Sequence, residues 1–204
     1  MRDGLRMLLE KESGFQVVGD AADGRAAVEL ARSLQPDIVV MDITLPGLNG
    51  IEATRQVRLA APNAKIISLS MHSDKRYVLE MLKAGASAYL LKNCASDELV
   101  RAIHAVLANQ RFLSPVIADV VVDHLMNNPT SSAGTAFTDL TPREREVLQM
   151  IAEGRTSKEI AKELRSSIKT VETQRRDMMQ KLDLHSVAEL TRYAIREGLT
   201  GLDG

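Results

Sequence analysis

The sequence has few features that mark secreted, metal-binding or membrane proteins. It contains one cysteine, Cys94, in 204 residues, so neither an internal disulfide nor a zinc cluster can form. It has no apolar run of about eighteen residues, the length that a helix needs to cross a membrane. Its first residues also lack the apolar core of a secretory signal. We therefore expect a cytoplasmic protein.

The chain also lacks an excess of charge of either sign. Its net charge of −1 gives no indication of a nucleic-acid partner, so any affinity for DNA must come from local clustering of charge. The apolar fraction of 45% and the charged fraction of 26% are those of a globular protein. A chain of this length is enough for two small domains.

Up to about Leu107, short apolar runs alternate with amphipathic stretches. The runs are rich in β-branched residues and apolar on both faces, as in parallel strands covered by helices; they lie at residues 15–19, 37–41, 65–70 and 88–91. Helical patterns lie beside them at residues 4–11, 24–33, 50–60, 75–84 and 97–108, with Ser96 as the expected N-cap of the last. This alternation predicts a doubly wound α/β fold with a parallel sheet.

The second part of the chain is purely helical. Ser114 and Pro115 open a helix that ends near Met126, and the polar residues 127–135 predict a flexible linker. After Thr138, capping residues predict four short helices, whose N-caps are Thr141, Thr156, Ser167 and Ser186. A tight turn at residues 165–167 separates the second and third of these helices, which is helix-turn-helix spacing.

Three polar residues follow predicted parallel strands: Asp42, Ser70 and Lys92. The carboxyl ends of such strands meet at one edge of the sheet, where ligands bind. A carboxylate there is a candidate nucleophile, an ammonium neutralises phosphate oxygens and a hydroxyl donates to one. Each residue alone has an ordinary structural interpretation, as a turn former or a surface residue. Together they predict a site that handles a phosphoryl group, and we expect no catalytic role for the nearby His72 and Cys94.

Residues 14–108 resemble the receiver domain of two-component response regulators. The resemblance rests on three motifs, at residues 39–50, 67–70 and 84–92. It implies that Asp42 takes a phosphoryl group from a sensor histidine kinase, with Mg²⁺ bridging and the backbone carbonyl of Thr44 as a metal ligand. It also implies roles for three further side chains: Ser70 as the switch hydroxyl, Lys92 as the phosphate partner and Tyr89 as the aromatic that swings inward on activation.

The chain departs from this family at its beginning. Receivers start with an additional strand that ends in an acidic pair holding Mg²⁺, and this sequence shows neither; we assign neither Asp3 nor Asp20 to the metal site. That strand would lie between the runs at 15–19 and 37–41, so its loss would remove hydrogen bonds from both neighbours. Two explanations stay open. Either the start codon was assigned too late and the intact mass exceeds 22.4 kDa, or this is an atypical receiver that binds no Mg²⁺ in the normal way.

Residues 139–200 resemble the helix-turn-helix of the LuxR and NarL type. The matching motifs lie at residues 140–148, 151–154, 157–161, 169–172 and 181–182. On the third helix Val171, Met178 and Leu182 share one face and should pack inward. Another face can enter the major groove, with Glu172, Thr173 and Arg176 as expected base contacts. Expected phosphate contacts are Lys158, Lys169, Thr170, Arg175 and Lys181.

The last helix of the resembled domain supports dimerisation in the family. Its candidate residues here are Val187, Leu190, Tyr193 and Ala194, and core packing is the alternative interpretation of the same side chains. Glu172 and Gln174 differ from the residues that some family members carry at these positions, which leaves the target DNA sequence open.

These observations predict a receiver domain at 1–110, a helix and linker at 111–138 and a DNA-binding domain at 139–204. We expect a transcription regulator switched by phosphorylation of Asp42, and not an enzyme. Its expected partners are double-stranded DNA, a sensor histidine kinase and a second copy of the chain on DNA, with RNA polymerase as a further candidate; Mg²⁺ is expected only if the missing segment exists. Two rival hypotheses are a DNA-binding regulator under phosphate-independent control and a signalling module that binds partners without DNA.

Overall fold

The computed structural model describes residues 2–93, 96–127 and 140–200. These residues form two units, each with its own apolar core. Cys94 and the predicted linker from Asn128 onward lie outside the described residues. Within the described ranges, no helix is both long and apolar enough to cross a bilayer.

The first unit alternates helices and strands, as the sequence predicts. Its helices are α1 (Arg2–Lys11), α2 (Gly24–Leu34), α3 (Gly50–Ala60), α4 (Lys75–Ala84), α5 (Ser96–Leu107) and α6 (Pro115–Asn127). Its strands are β1 (Ile38–Asp42), β2 (Lys65–Ser70), β3 (Ala88–Leu91) and β4 (Phe112–Leu113). Ser96 is the first residue of α5 rather than its N-cap.

The four strands form one parallel sheet in the order β1-β2-β3-β4. On one face, side chains such as Leu69 and Leu90 pack with Ile103 of α5, and leucines of α1 lie against the same cluster. Alternate strand residues point to the other face. The predicted doubly wound α/β fold is confirmed, and the carboxyl ends of β1, β2 and β3 lie at the same edge of the sheet.

The predicted strand at residues 15–19 is wrong. This segment carries no strand pairing, and β1 is the edge of the described sheet. A strand needs ladder hydrogen bonds to a neighbour, and the described residues offer none between this segment and β1. Phe15 instead packs on the core, with its ring centroid 5.4 Å from that of His104. Asp20, which follows the segment, pairs with Arg6 at 2.9 Å.

The short strand β4 was not predicted. Its residues Phe112 and Leu113 pair with Ala88 and Tyr89. Two residues are too few to show a period of two, so the local pattern carries no signal for this strand. It extends the sheet beyond β3 and leads directly into α6.

The second unit is the predicted four-helix domain. Its helices are α7 (Pro142–Ala152), α8 (Ser157–Glu163), α9 (Ile168–Lys181) and α10 (Val187–Arg196). Thr141 and Thr156 each form a complete capping box, while Ser167 and Ser186 accept hydrogen bonds as N-caps. Val147, Ile160 and Leu190 form its core together with residues of α9. The turn between α8 and α9 has Arg165 in the left-handed region, with φ of 49°.

Candidate phosphoacceptor site and nucleic-acid interface

Asp42 and Lys92 meet at the carboxyl edge of the sheet. Asp42 is the last residue of β1, and Lys92 directly follows β3. The Lys92 Nζ lies 2.6 Å from Asp42 Oδ2, and both side chains are largely but not fully buried. The two residues come from strands separated by β2, so the parallel topology brings them together as the sequence predicts.

Ser70 connects the loops that follow β2 and β3. Ser70 is fully buried, and its Oγ accepts a hydrogen bond from the backbone N–H of His72 at 2.9 Å. Its backbone carbonyl accepts from the N–H of Lys92 at 2.8 Å. Ser70 therefore lies at the strand end expected for the switch hydroxyl, with its hydroxyl hydrogen-bonded to the backbone of His72 and its carbonyl to the backbone of Lys92.

Tyr89 lies inside the unit rather than on its surface. Tyr89 is fully buried, and its phenol donates a hydrogen bond of 2.7 Å to the backbone carbonyl of His72. Burial raises the pKa of Tyr89 to about 12, while its hydrogen bond with the Ser70 side chain acts in the opposite direction. The phenol consequently keeps its proton at neutral pH and remains a donor.

His72 and Tyr77 form a contact that the sequence does not predict. Their rings stack with centroids 4.5 Å apart and planes 15° from parallel. His72 thus contacts three side chains. Its backbone hydrogen-bonds to Ser70 and Tyr89, and its ring stacks on Tyr77 of α4. The spacing of five residues across a loop and a helix start gives no periodic signal that could have revealed this stack.

The backbone of Gly50 passes very close to that of Asp42. A Cβ added at Gly50 would stand 1.8 Å from the carbonyl oxygen of Asp42 and 2.9 Å from the Cα of Ile43. The N–H of Gly50 donates to the carbonyl of Ile43 at 2.8 Å. Only glycine permits this approach, which fixes the strand end carrying Asp42.

The described residues do not make a Mg²⁺ site on their own. Mg²⁺ prefers six oxygen ligands and usually takes one or two carboxylates together with phosphate and water oxygens. The sheet edge offers the carboxylate of Asp42, which pairs with Lys92, and the backbone of the exposed Thr44. Throughout the described ranges, no group of three or more His, Cys, Asp or Glu side chains is placed to hold a metal ion.

Helix α9 has one buried face and one exposed face. Val171 and Met178 are buried and Leu182 packs against the same core, as the helical spacing predicts. Lys169 and Glu172 are exposed, and 76% of the Arg176 side chain is accessible to solvent. Of the other expected contact residues of this helix, Thr170 is exposed, while Thr173 and Arg175 are partly exposed. The structure thus presents the expected base-contacting side chains together on one helix.

The expected phosphate contacts are not equivalent in the structure. Lys158 on α8 and Lys169 on α9 are exposed, and neither forms an ion pair with another described residue. The Thr170 hydroxyl lies 2.7 Å from that of the N-cap Ser167. Lys181 differs from these, because its Nζ lies 2.6 Å from Glu144 Oε1 on α7. No local sequence pattern indicates this ion pair, since its partners are distant along the chain.

The four residues expected at a dimer interface fall into two groups. Leu190 and Ala194 are fully buried in the core of their own unit. Tyr193 packs partly against that core, and the Arg196 guanidinium lies 5.3 Å from its ring centroid. Val187 is 46% exposed. Core packing therefore accounts for Leu190 and Ala194, and only Val187 and Tyr193 present surface to another molecule.

Comparison with known proteins agrees with both parts of this description. The family model of the response regulator receiver domain matches residues 1–104. The model of bacterial regulatory proteins of the luxR family matches residues 138–194. The chain therefore belongs to the two-component response regulators that join a receiver to a LuxR-type helix-turn-helix domain.

Relatives match over nearly the whole chain. The oxygen regulatory protein NreC of Staphylococcus carnosus is 36% identical over 203 residues, which cover 98% of this chain and 94% of the relative. The response regulator UvrY of Escherichia coli is 37% identical over 199 residues, which cover 98% and 90%. Among solved structures, RcsB of Salmonella enterica serovar Typhimurium, bound to a promoter with the phosphomimetic BeF3−, is 26% identical with a TM-score of 0.59. That match covers 98% of this chain and 93% of RcsB.

Proposed function

We propose that this response regulator binds DNA through α9 and is switched by phosphorylation of Asp42. The observation that carries the switch is the 2.6 Å contact between Asp42 and Lys92, with Ser70 hydrogen-bonded to the lysine's backbone. In this contact the Asp42 carboxylate is a nucleophile, and the Lys92 ammonium is a cation that can neutralise the oxygens of a phosphoryl group bound to Asp42.

In the proposed reaction a carboxylate oxygen of Asp42 attacks the phosphorus of a phosphohistidine on a sensor kinase. An O–P bond forms as the N–P bond of the donor breaks. The added negative charge draws the Lys92 ammonium and the Ser70 hydroxyl toward the phosphoryl oxygens. Because Ser70 also accepts from His72, a shift of Ser70 reaches the loop that holds the phenol of Tyr89.

We propose that DNA is recognised by the exposed face of α9. Glu172, Thr173 and Arg176 contact bases, while Lys158, Lys169, Thr170 and Arg175 contact phosphates. The exposure of these side chains on a capped helix with a buried opposite face supports this assignment. RcsB, which is similar over most of its length, has been solved on a promoter.

The remaining assignments are proposals that rest on the family. They comprise a sensor histidine kinase as phosphoryl donor, a homodimer on DNA, RNA polymerase as a further partner, action in the cytoplasm and a regulatory role in place of enzymatic catalysis. Receivers generally use Mg²⁺, and we propose it here only if further carboxylates join Asp42. The domain division at 1–110, 111–138 and 139–204 is likewise proposed, supported by family matches that end at 104 and begin at 138.

The proposed switch is tested by replacing the phosphoacceptor. DNA affinity is measured with and without acetyl phosphate for the wild type, Asp42→Asn and the control Asp37→Asn. Asp37 is exposed and lies just before the opposite end of β1. We expect acetyl phosphate to tighten binding by the wild type and the control, and to have no effect on Asp42→Asn, whose affinity without phosphate is unchanged.

An undiminished acetyl-phosphate response in Asp42→Asn would refute the assignment of the acceptor. The absence of any response in all three proteins, with normal DNA binding, would favour the phosphate-independent regulator. That alternative is motivated by the incomplete set of metal ligands among the described residues. Mg²⁺-dependent labelling of the wild type would in turn exclude it.

A further inference from the structure

The ion pair between Lys181 and Glu144 links the C-terminal end of α9 to the N-terminal end of α7. Lys181 is the last residue of α9, and Glu144 is the third residue of α7. Glu144 Oε1 accepts from Lys181 at 2.6 Å. Its other oxygen, Oε2, accepts from the backbone N–H of Thr141 at 2.8 Å and from the Thr141 hydroxyl at 3.0 Å. One carboxylate therefore closes the capping box of α7 and holds the end of α9.

The environment of this carboxylate favours its charged form. Only 10% of the Glu144 side chain is exposed, against 45% for Lys181. Burial by itself would raise the pKa of Glu144, but the hydrogen bonds from Lys181 and Thr141 outweigh it and lower the pKa. Glu144 is therefore ionised at neutral pH. A charge-assisted hydrogen bond in such a shielded place is stronger than one between fully exposed side chains.

The C-terminal end of α9 is held both by apolar packing and by this pair. Ser167 caps its N-terminus, and Val171 and Met178 fix which face is buried. Met179 and Leu182 pack against the same core, and the pair adds a polar link between the final residue of α9 and the helix that carries Glu144. A small rotation of α9 about its buried residues would displace its exposed side chains from the base edges, because binding requires close geometry.

We propose that Glu144 and Lys181 are positioning residues, which set the orientation of α9, and that Lys181 makes no contact with a DNA phosphate. This inference rests on the proposed DNA-binding role of α9. The proposal gives Glu144 a role beyond helix capping. It also assigns Lys181 to the ion pair and not to the phosphate contact that the sequence predicts. Lys158 and Lys169, which have no ion-pair partner among the described residues, keep their assignment.

The two interpretations of Lys181 predict opposite effects of Glu144→Gln. If Lys181 bound phosphate, loss of the Glu144 charge would release the lysine and remove a nearby negative charge, so DNA binding would be unchanged or tighter. If the pair positions α9, the same substitution weakens binding although the protein becomes more positive. Glutamine keeps the size of the side chain and an oxygen that can accept from Thr141.

The experiment measures the dissociation constant for a duplex selected from a random-sequence pool by the wild-type chain, over a series of salt concentrations. The variants are Glu144→Gln, Lys181→Met, their double mutant, Lys181→Arg and Lys169→Met. We expect each of the first two to weaken binding by roughly fivefold or more, and the double mutant to be no weaker than either. Lys181→Arg, which preserves the ion pair, should restore most of the affinity.

The salt dependence supplies the second readout. For Lys181→Met we expect the slope of log Kd against the logarithm of the salt concentration to stay at the wild-type value. For the phosphate-contact control Lys169→Met we expect it to fall by about 0.9. Circular dichroism at the assay temperature establishes that each variant is folded, so lost affinity is not lost structure.

The proposal is overturned if Lys181→Met lowers the salt slope as Lys169→Met does, or if Glu144→Gln binds as tightly as the wild type. Strictly additive losses in the double mutant would also overturn it, because independent residues do not share one interaction. If the wild type itself shows no salt-dependent DNA binding, the function proposed for α9 fails, and this inference fails with it.

Discussion

At the scale of single residues, the proposed phosphoacceptor site depends on a glycine, Gly50, which has no side chain to clash with the strand end. Gly50 follows Asp42 by eight positions, yet its Cα faces the carbonyl group of Asp42 so closely that a Cβ would overlap the oxygen. The clash is with backbone, which cannot rotate away as a flexible side chain can. The glycine is therefore required by packing at the strand end and not by a turn conformation.

We expect Gly50→Ala to destabilise the protein by about 3 kcal/mol or more, since it forces the end of β1 away from α3. Chemical denaturation of the full chain measures this loss. The matched control is Gly4→Ala on α1, where a Cβ meets no atom within 4 Å and helix propensity favours alanine by about 1 kcal/mol. Equal stability of the two variants would contradict the close approach at Gly50.

The sequence was sufficient to predict that some residues of the candidate site lie close together, but not how they are connected. Asp42, Ser70 and Lys92 follow apolar runs, and this local position places them at one sheet edge. The stack of His72 on Tyr77 and the pairing of Glu144 with Lys181 depend on how loops and helices meet in space. No residue spacing encodes such contacts, so a single sequence cannot reveal them.

At the scale of elements, helix α10 shows how one amphipathic pattern can serve two purposes. Leu190 and Ala194 belong to the core of the unit, whereas Val187 remains 46% exposed. An exposed valine at the start of a helix is available for a second copy of the chain. The proposed dimer surface therefore includes Val187 and the exposed part of Tyr193, but not the buried Leu190 and Ala194.

We expect Val187→Glu to weaken the binding of a second protomer to DNA by about tenfold without loss of stability, because it places a charge in an apolar contact. A glutamate in the first turn of a helix is itself favourable. Gel-shift titration that resolves one-protomer and two-protomer complexes measures the effect. The control is Ala188→Glu, the exposed next residue; equal behaviour of both variants would place the dimer surface elsewhere.

Helices were easier to predict than strands for a physical reason. The caps at Thr141, Thr156 and Ser167 hydrogen-bond within three residues, so the sequence alone defines where those helices begin. Residues 15–19 have a strand-like composition but no neighbouring strand in the described sheet, while β4 consists of two residues that pair with β3. Strand formation is decided by the partner, which local patterns do not contain.

At the scale of the whole molecule, the net charge of −1 provides no general attraction to DNA. Affinity must then come from a few local cations, so removing two of them should have a large effect. We expect Arg176→Ala to cost about 1–3 kcal/mol of binding free energy and Lys169→Ala to lower the salt slope by about 1. A salt-dependent titration of the double variant measures both effects.

The control for this prediction removes the same charge from other helices of the unit. Lys162 of α8 and Arg192 of α10 are exposed and lie outside the expected contact set. The double variant Lys162→Ala, Arg192→Ala should bind nearly as the wild type does. Equal binding by the wild type and both double variants would place the DNA contacts elsewhere, and no salt-dependent binding by any of them would support a signalling module that acts without DNA.

The placement of the tyrosines has a consequence for spectroscopy. The chain has no tryptophan and three tyrosines, so tyrosine dominates its fluorescence when the protein is excited above the absorption wavelengths of its three phenylalanines. Tyr89 donates to the carbonyl of His72 and Tyr77 stacks on the His72 ring, while Tyr193 lies beside Arg196 in the other unit. Two of the three natural fluorophores thus flank the proposed switch, and the third serves as an internal reference. Tyrosine fluorescence of the unlabelled protein, with and without acetyl phosphate, therefore offers an optical test of the proposed switch.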